Sequence, residues 1–136
     1  MKRLEIFDSI LRDGAQSEGI SFSVQDKLKI VRLLDDFGVA YIEAGNPSSN
    51  PKDIEFFQKA SLLKLKTAKL CAFGSTRRKN MRAEEDENVL ALLRANTPSV
   101  AVFGKAWDLH ATEVLKVSLE ENLSMVRDTV SFLKSS

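Results

Sequence analysis

A short polar segment near the N-terminus combines side chains that could act on a small anionic substrate. Residues 11–16 read LRDGAQ and follow the apolar run LEIF. The Arg12 guanidinium could hold a carboxylate in fork geometry or stabilise an enolate oxygen, and the Asp13 carboxylate could ligate a divalent cation. Gln16 adds an amide. The Asp-Gly pair is equally common in ordinary turns, so a solvated turn with a local ion pair fits the same residues.

A second carboxylate lies in an apolar segment further along the chain. Glu43 belongs to VAYIEAG, residues 39–45. A carboxylate buried there without a partner is costly, and Arg12 is a candidate partner. Polar segments also follow two later apolar runs, at residues 74–79 and 104–110. We therefore predict that Glu43 belongs to a site for a small polar substrate.

The chain contains one histidine, His110, and one cysteine, Cys71. This pair is too small for a structural zinc site, so any metal would be a hard cation held by carboxylates or would take further ligands from another chain. Cys71 lies inside an apolar segment, which is more typical of core packing than of a nucleophile. A lone histidine in a loop is more typical of surface than of catalysis. The single cysteine favours a reducing, cytoplasmic setting.

Composition and charge restrict the class of partner. The 136 residues are 43% hydrophobic and 29% charged, with a formal net charge of +1, which is typical of one globular domain. That charge provides no field for nucleic acid or for an anionic membrane. Arg77, Arg78 and Lys79 could bind phosphate or carboxylate, although a solvated basic run is the commoner outcome.

Strand and helix patterns alternate four times. A capping box formed by Ser23 and Asp26 begins the first helix and Gly38 ends it, while Ser118 and Glu121 form a second capping box. In this first helix the apolar residues recur at helical spacing, namely Leu28, Ile30, Val31, Leu34 and Phe37. Asn50 is the predicted N-cap of the second helix. The predicted strands are residues 3–7, 39–45, 68–74 and 99–104, and the predicted helices are residues 26–37, 51–60, 85–96 and 119–133, with a short extra helix over 112–117.

This alternation predicts an α/β fold of four β/α units with a parallel sheet and right-handed crossovers. Two architectures fit: an open sheet, or half of a (β/α)8 barrel, which needs about 250 residues when complete. In both, side chains at the carboxyl ends of the strands meet at one edge. A receiver or nucleotide-binding fold is disfavoured because LRDGAQSEG lacks the Gly-rich phosphate loop.

Residues 8–16, DSILRDGAQ, resemble the signature of the family that includes isopropylmalate synthase, homocitrate synthase and hydroxymethylglutaryl-CoA lyase. The segments EGISFSVQDKLKI, SNPKDIEFF, AFGSTRRKN and FGKAWDLHATEVL resemble its citramalate synthase branch. The resemblance implies that residues 1–136 are a partial pyruvate carboxyltransferase-type domain, the N-terminal half of a TIM (β/α)8 barrel with strands 1 to 4.

The resemblance also implies an activity, a metal-dependent Claisen condensation of acetyl-CoA with pyruvate in cytoplasmic branched-chain amino-acid biosynthesis. By matching position, Asp13 would ligate the divalent metal (Mg, Mn or Zn). Arg12 would stabilise the enolate or the carbonyl oxygen, and Gln16 and Glu43 would orient substrate and metal-bound water. Two alternatives stay open: an isopropylmalate- or homocitrate-type acyltransferase for another 2-oxo acid, and a non-catalytic half-barrel module for binding or oligomerisation.

Several departures from the family pattern qualify this reading. Ser9 and Ile10 replace two threonines of the signature, and Asn46 stands where relatives carry an aromatic residue. A His-x-His pair and a general base are absent from these 136 residues. We therefore expect a fragment that is inactive alone, and whose two exposed strand edges lead it to self-associate or to pair with the missing half barrel.

Overall fold

The computed structural model describes residues 4–136 as a parallel four-stranded sheet packed against helices. The strands are β1 (Phe7–Asp8), β2 (Tyr41–Gly45), β3 (Lys69–Ser75) and β4 (Ser99–Phe103). The helices are α1 (Val24–Phe37), α2 (Pro51–Ala60), α3 (Glu87–Arg94) and α4 (Leu119–Ser135). Two 3₁₀ turns, Gly14–Gln16 and Ala83–Glu85, and a π-helix, His110–Leu115, lie in the connections.

The strands follow one another in the sheet in the order β1-β2-β3-β4, and every neighbouring pair is parallel. A barrel adds its strands in this sequential way, whereas an open doubly wound sheet reverses its order at a switch point. The observed order therefore favours the partial barrel over the open sheet. No helix within residues 4–136 is long and apolar enough to cross a bilayer.

Local capping signals place the first helix. Ser23 Oγ accepts from the Asp26 N–H at 3.1 Å, and the Asp26 carboxylate accepts from the Ser23 N–H at 3.0 Å. This confirms the predicted capping box and starts α1 at Val24, two residues before the predicted start. Gly38 ends the helix at φ 92°, a left-handed conformation that suits glycine.

Other predicted boundaries are corrected by the structure. Strand pairing in β1 is limited to Phe7–Asp8 rather than residues 3–7, and residue 3 lies outside the described part of the chain. Helix α3 is shorter than residues 85–96 because the Asp86 side chain accepts from the Asn88 N–H and makes Asp86 the N-cap. The predicted helix over 112–117 is the π-helix, which begins two residues earlier.

The core lies between the sheet and its helices. Residues of β2 and β3 that face the helices are buried with side chains from α1 and α2, namely Ile42, Ala44, Leu70, Ala72, Val31 and Phe56. Phe37, which helical spacing assigned to this face, is 81% exposed. Asp35, two residues earlier, is buried instead, and its carboxylate accepts from the N–H groups of residues 66, 67 and 68.

The second face of the sheet carries aromatic side chains that residues 4–136 leave partly uncovered. Phe7 pairs in register with Tyr41, their ring centroids are 6.2 Å apart, and Phe7 is 48% exposed. Phe103, at the end of the β4 edge strand, is 51% exposed. An apolar face of this kind is typical of a surface that another polypeptide segment covers.

Candidate active site

The two residues predicted to pair across the strand ends do so. Arg12 follows β1 in a turn where the N–H groups of Arg12, Asp13 and Gly14 all donate to the Ser9 carbonyl. From there Arg12 Nε donates to Glu43 Oε2 on β2 at 2.7 Å. The Glu43 side chain is only 4% exposed. A carboxylate this buried needs a charged partner, and Arg12 supplies it.

The Arg12 guanidinium is held from a second direction by an aromatic ring. Its Cζ lies 4.3 Å from the centroid of Phe73 on β3, within cation–π range. Nη1 reaches Asp13 Oδ1 at 3.3 Å, a long contact. Among residues 4–136, Nη2 has no hydrogen-bond acceptor. The guanidinium is therefore fixed by Glu43 and Phe73 and retains N–H groups for a ligand.

Asp13 and Gln16 lie beside this pair with few protein contacts. The Asp13 side chain is 67% exposed and contacts the Arg12 guanidinium. Gln16 ends the 3₁₀ turn and is also exposed. No group of three His, Cys, Asp or Glu side chains in the described residues is arranged to hold a metal ion. Asp13 thus offers one oxygen ligand, and residues 4–136 do not complete a metal site.

A polar cavity of about 390 Å³ opens next to Arg12. It lies between the carboxyl ends of β1 and β2 and the loop that leads into α2. Its lining combines charged and amide groups with apolar side chains, and includes Leu11, Arg12, Gln16, Phe22, Lys27, Asn46, Ser49, Asn50, Lys52, Asp53 and Phe73. A cavity of this size and polarity suits a small polar substrate.

The loop over residues 46–50 is ordered by its own side chains. Asn46 Oδ1 accepts from the N–H and the hydroxyl of Ser48, at 2.9 and 2.8 Å. Ser49 Oγ lies 2.9 Å from the Asn46 carbonyl oxygen. Asn50 is the N-cap of α2, as predicted, and accepts from the Asp53 N–H. At the position where an aromatic residue was expected, Asn46 therefore supports a tight polar turn on the cavity wall.

A buried ion pair between α1 and α2 was missed by the sequence analysis. Lys27 Nζ lies 2.6 Å from Asp53 Oδ1 and 3.2 Å from the Ala44 carbonyl oxygen. The two side chains are 7% and 13% exposed. The burial of Lys27 was predictable from the sequence, because Lys27 lies next to Leu28 and one turn before Val31, on the buried stripe of α1.

Arg77, the first residue of the basic run after β3, is buried and already paired, so it is not free to bind an anion. The Arg77 side chain is 7% exposed. Its guanidinium donates to Glu121 Oε1 at 2.8 Å and to Asp128 Oδ2 at 2.8 and 3.1 Å, and its N–H donates to Thr129 Oγ1. The bond to Glu121 is the main reason that the pKa of Arg77 is raised.

These contacts also explain why the second predicted capping box is half formed. Ser118 Oγ accepts from the Glu121 N–H, but the Glu121 carboxylate pairs with Arg77 instead of with the Ser118 N–H.

The other two residues of the basic run are also paired. Arg78 donates its N–H and Nε to buried Asp86, and Lys79 donates to the Leu115 carbonyl. The basic run therefore ties the end of β3 to its neighbours.

His110 and Cys71 lie outside the cavity lining. His110 is half-buried with its ring 4.8 Å from that of Trp107, edge to face. Cys71 is 1% exposed at the centre of the sheet, between Glu43 and Ser99, and burial raises the pKa of its thiol. The prediction of Cys71 as a core residue is confirmed.

Comparison with known proteins assigns the chain to a family. Residues 3–136, almost the whole chain, match the HMGL-like family. The chain belongs to the HMGL-like family. This agrees with the resemblance drawn from residues 8–16.

Curated relatives of this HMGL-like chain are synthases. It is 56% identical over 133 residues to the (R)-citramalate synthase of Aquifex aeolicus and 52% identical over 134 residues to that of Sulfolobus acidocaldarius, in each case over 98% of the chain. Identity to the 2-isopropylmalate synthase of Listeria innocua is 33% over 134 residues. The chain spans 25%, 26% and 25% of the length of these relatives.

Solved structures confirm the partial barrel. The HMG-CoA lyase of Bacillus subtilis superposes with a TM-score of 0.69 at 20% identity, over 99% of this chain and 44% of that one. An HMG-CoA lyase of Acinetobacter baumannii, in complex with coenzyme A and 3-methylmalate, superposes with a TM-score of 0.70 at 18% identity, over 98% and 42%. Four sequentially ordered β/α units of an HMGL-like barrel are therefore present, as the sequence predicted.

Proposed function

We propose that this HMGL-like chain supplies part of the active site of an acyltransferase that condenses acetyl-CoA with pyruvate to form (R)-citramalate. The observation that carries the proposal is the Arg12 guanidinium, fixed by Glu43 and Phe73 with N–H groups left over beside a polar cavity. Five curated relatives at 46–56% identity, all named (R)-citramalate synthase, support this choice of reaction.

The proposed roles follow from the charge that a Claisen condensation develops. Negative charge appears on the enolate oxygen of the acetyl group and then on the former keto oxygen, and the spare N–H groups of Arg12 stabilise it. Glu43 keeps the guanidinium in one orientation, so that little reorganisation is needed during the reaction. The Gln16 amide, on the same cavity wall, orients the carboxylate of the 2-oxo acid.

Asp13 is proposed as one ligand of a divalent cation, with the remaining ligands coming from outside residues 4–136. Its exposed carboxylate has the donor chemistry that Mg²⁺ and Mn²⁺ prefer, and Zn²⁺ also accepts carboxylate. When bound, such a cation polarises the keto group of the 2-oxo acid. Because Asp13 is the one ligand proposed among residues 4–136, we expect the chain alone to bind metal weakly and to be inactive.

The lack of a complete metal site among residues 4–136 supports a second candidate function. A chain with an exposed carboxylate at Asp13 and no complete metal site among residues 4–136 could bind 2-oxo acids without converting them, as a half-barrel binding or oligomerisation module. Relatives named 2-isopropylmalate synthase, at 32–33% identity, support a larger 2-oxo acid as the alternative substrate. The higher identity to the citramalate synthases favours pyruvate.

We also propose that the uncovered face of the sheet is buried by self-association or by the polypeptide that supplies the remaining strands. Phe7 and Phe103 are about half exposed there, at the two edge strands. The proposed setting is cytoplasmic, where the lone thiol of Cys71 stays reduced. Sedimentation velocity over a range of concentrations tests self-association. A sedimentation coefficient that does not change with concentration contradicts it.

The test of the function is citramalate formation from pyruvate and acetyl-CoA with added Mg²⁺ or Mn²⁺, followed as release of CoA thiol. Three samples are compared: this chain, a polypeptide covering the remaining three quarters of the Aquifex aeolicus relative, and their mixture. Activity in the mixture alone supports the proposal. Activity of the chain alone would contradict the incomplete metal site. Pyruvate binding without turnover in any sample would favour the binding module.

A further inference from the structure

We propose that the buried Lys27–Asp53 ion pair is a positioning device for the active site. It holds a bulge at the carboxyl end of β2 and the loop over residues 46–50, and thereby orients Glu43 and Arg12. The inference rests on the proposed function only for the choice of pyruvate as the ligand. The geometry of the pair supports it independently.

The first argument is the bulge itself. Glu43 pairs in register with Cys71, whereas Gly45 pairs with Ala72, so Ala44 is an extra residue on β2. A bulge leaves its extra residue without ladder partners and re-aims neighbouring side chains. Ala44 is fully buried, and its carbonyl oxygen accepts from Lys27 Nζ at 3.2 Å. The ammonium group therefore satisfies a polar atom that the bulge leaves unpaired.

The second argument is what the bulge does to the next residues. Regular alternation would put Gly45 on the same face as Glu43. The bulge turns Gly45 to the helix side instead, at φ 125°, where an added Cβ would lie 3.1 Å from Lys27 Nζ. Asn46 then follows on the side of Arg12, and the two share one cavity. The cavity wall therefore depends on the space that Gly45 leaves for Lys27.

The third argument is the network around Asp53. Its Oδ1 accepts from Lys27 Nζ at 2.6 Å, while its Oδ2 accepts from Ser49 Oγ at 2.6 Å and from Asn50 Nδ2 at 3.0 Å. One carboxylate thus links α1, the first turn of α2 and the cavity loop. Replacing a buried ion pair by apolar residues is often neutral for stability, so stability alone is a weak reason for this pair.

The experiment compares Lys27→Met, Asp53→Asn and a control, Arg77→Met, in the 136-residue chain. Arg77→Met also removes a buried arginine-carboxylate link, but one that lies away from the cavity. The first measurement is the exchange rate of the Arg12 Nε–H proton by ¹H–¹⁵N NMR with ¹⁵N-arginine. The second is pyruvate affinity by NMR titration. Asp53→Asn keeps the shape and one acceptor, so it is the milder variant.

For Lys27→Met we expect about tenfold faster Arg12 Nε–H exchange and about tenfold weaker pyruvate binding, by analogy with the loss of groups that orient metal ligands. Asp53→Asn should change both in the same direction by about threefold. Arg77→Met should lower the unfolding midpoint and change neither quantity by more than about twofold.

Unchanged Arg12 exchange in folded Lys27→Met and Asp53→Asn would overturn the inference. So would failure of both to fold while Arg77→Met folds, because the pair would then serve stability alone. If Arg12 exchange responds as expected but the unaltered chain binds no pyruvate, the positioning role is supported and the proposed function fails.

Discussion

Two arginines follow the carboxyl ends of strands in this molecule and are used in opposite ways. Arg77, after β3, donates from all three guanidinium nitrogens to acceptors of its own chain and is 7% exposed. Arg12, after β1, makes one short bond to Glu43 and one long contact to Asp13, and is 25% exposed. Both arginines line a cavity, but only Arg12 keeps a guanidinium nitrogen without an acceptor among residues 4–136.

Spare donor capacity distinguishes the arginine that we propose to bind substrate from the one that is structural. Both side chains are anchored by carboxylates, so pairing alone does not distinguish them. Arg12 is also packed on Phe73, which fixes its plane without using a donor. Electrostatic stabilisation in catalysis needs a charge that is both fixed and unsatisfied. Arg12 meets both conditions, and Arg77 meets the first.

The largest effect is expected at Arg12. In the mixture that we propose to form citramalate, Arg12→Met should lower kcat by about 10³-fold, because the donor to the developing oxyanion is lost. Arg12→Lys should restore little, since an ammonium cannot reproduce the guanidinium geometry. Steady-state kinetics of the two variants check this. A kcat within tenfold of the unaltered protein in Arg12→Met would remove Arg12 from the chemistry.

The converse expectation applies to Arg77. Arg77→Met should lower the free energy of unfolding by about 2 kcal/mol, less than for a fully buried pair because Glu121 and Asp128 are 33% and 41% exposed. kcat and KM of the mixture should stay within about twofold. Urea denaturation and steady-state kinetics measure both. A large drop in kcat with unchanged stability would reverse the assignment of the two arginines.

A smaller effect is expected on the cavity wall. Asn46→Ala removes the side-chain acceptor that holds Ser48, so the loop should loosen and KM for pyruvate should rise about fivefold, equivalent to about 1 kcal/mol. Asn122→Ala is the matched control, because its amide donates to the Lys105 carbonyl away from this cavity. Equal changes in KM for both variants would show a general effect of amide removal.

The smallest effect is a pH dependence of the free energy of unfolding that arises from Asp86, which pairs with Arg78 next to Arg77. Burial alone would raise the pKa of Asp86, but hydrogen bonds from the Arg78 N–H, the Arg78 side chain and the Asn88 N–H outweigh it and lower that pKa. The unfolded chain then binds more protons, so this contribution is full above about pH 4 and is lost as pH falls through the folded pKa.

Asp86→Asn tests this directly. The difference in unfolding free energy between the unaltered chain and the variant should be greatest near neutral pH and should shrink below about pH 4. Denaturation by urea between pH 7 and pH 2.5 measures it. A constant difference over that range would show that the charge of Asp86 does not matter. Neither result should change the Arg12 site, which shares no contact with Asp86.

Local signals made the elements predictable. Ser23, Asp26 and Gly38 fix the ends of α1 through contacts within a few residues, and Asn50 does the same for α2. The weakest boundary was that of β1, because its two-residue pairing depends on β2. The Phe37 error has the same origin, since the helical period gives a stripe but not its limits.

The site was predictable where chemistry restricted the partners. Glu43 is a carboxylate in an apolar strand, so it required a cation, and Arg12 at the neighbouring strand end was the candidate. The Lys27–Asp53 pair spans 26 residues of sequence, and Arg77 finds Asp128 51 residues away. The apolar stripe of α1 indicates that Lys27 is buried, but neither that stripe nor a basic run after a strand identifies the distant partner.

The burial of Cys71 has a practical consequence for measuring this protein. It is the one thiol in the chain, it is 1% exposed, and burial raises its pKa, so little reactive thiolate forms in the folded state. A chromogenic disulfide added to follow CoA release therefore meets almost no background from folded chain. Without acetyl-CoA, the rate at which the same reagent labels Cys71 measures how often the central sheet opens, because Cys71 becomes accessible when β2, β3 and β4 separate.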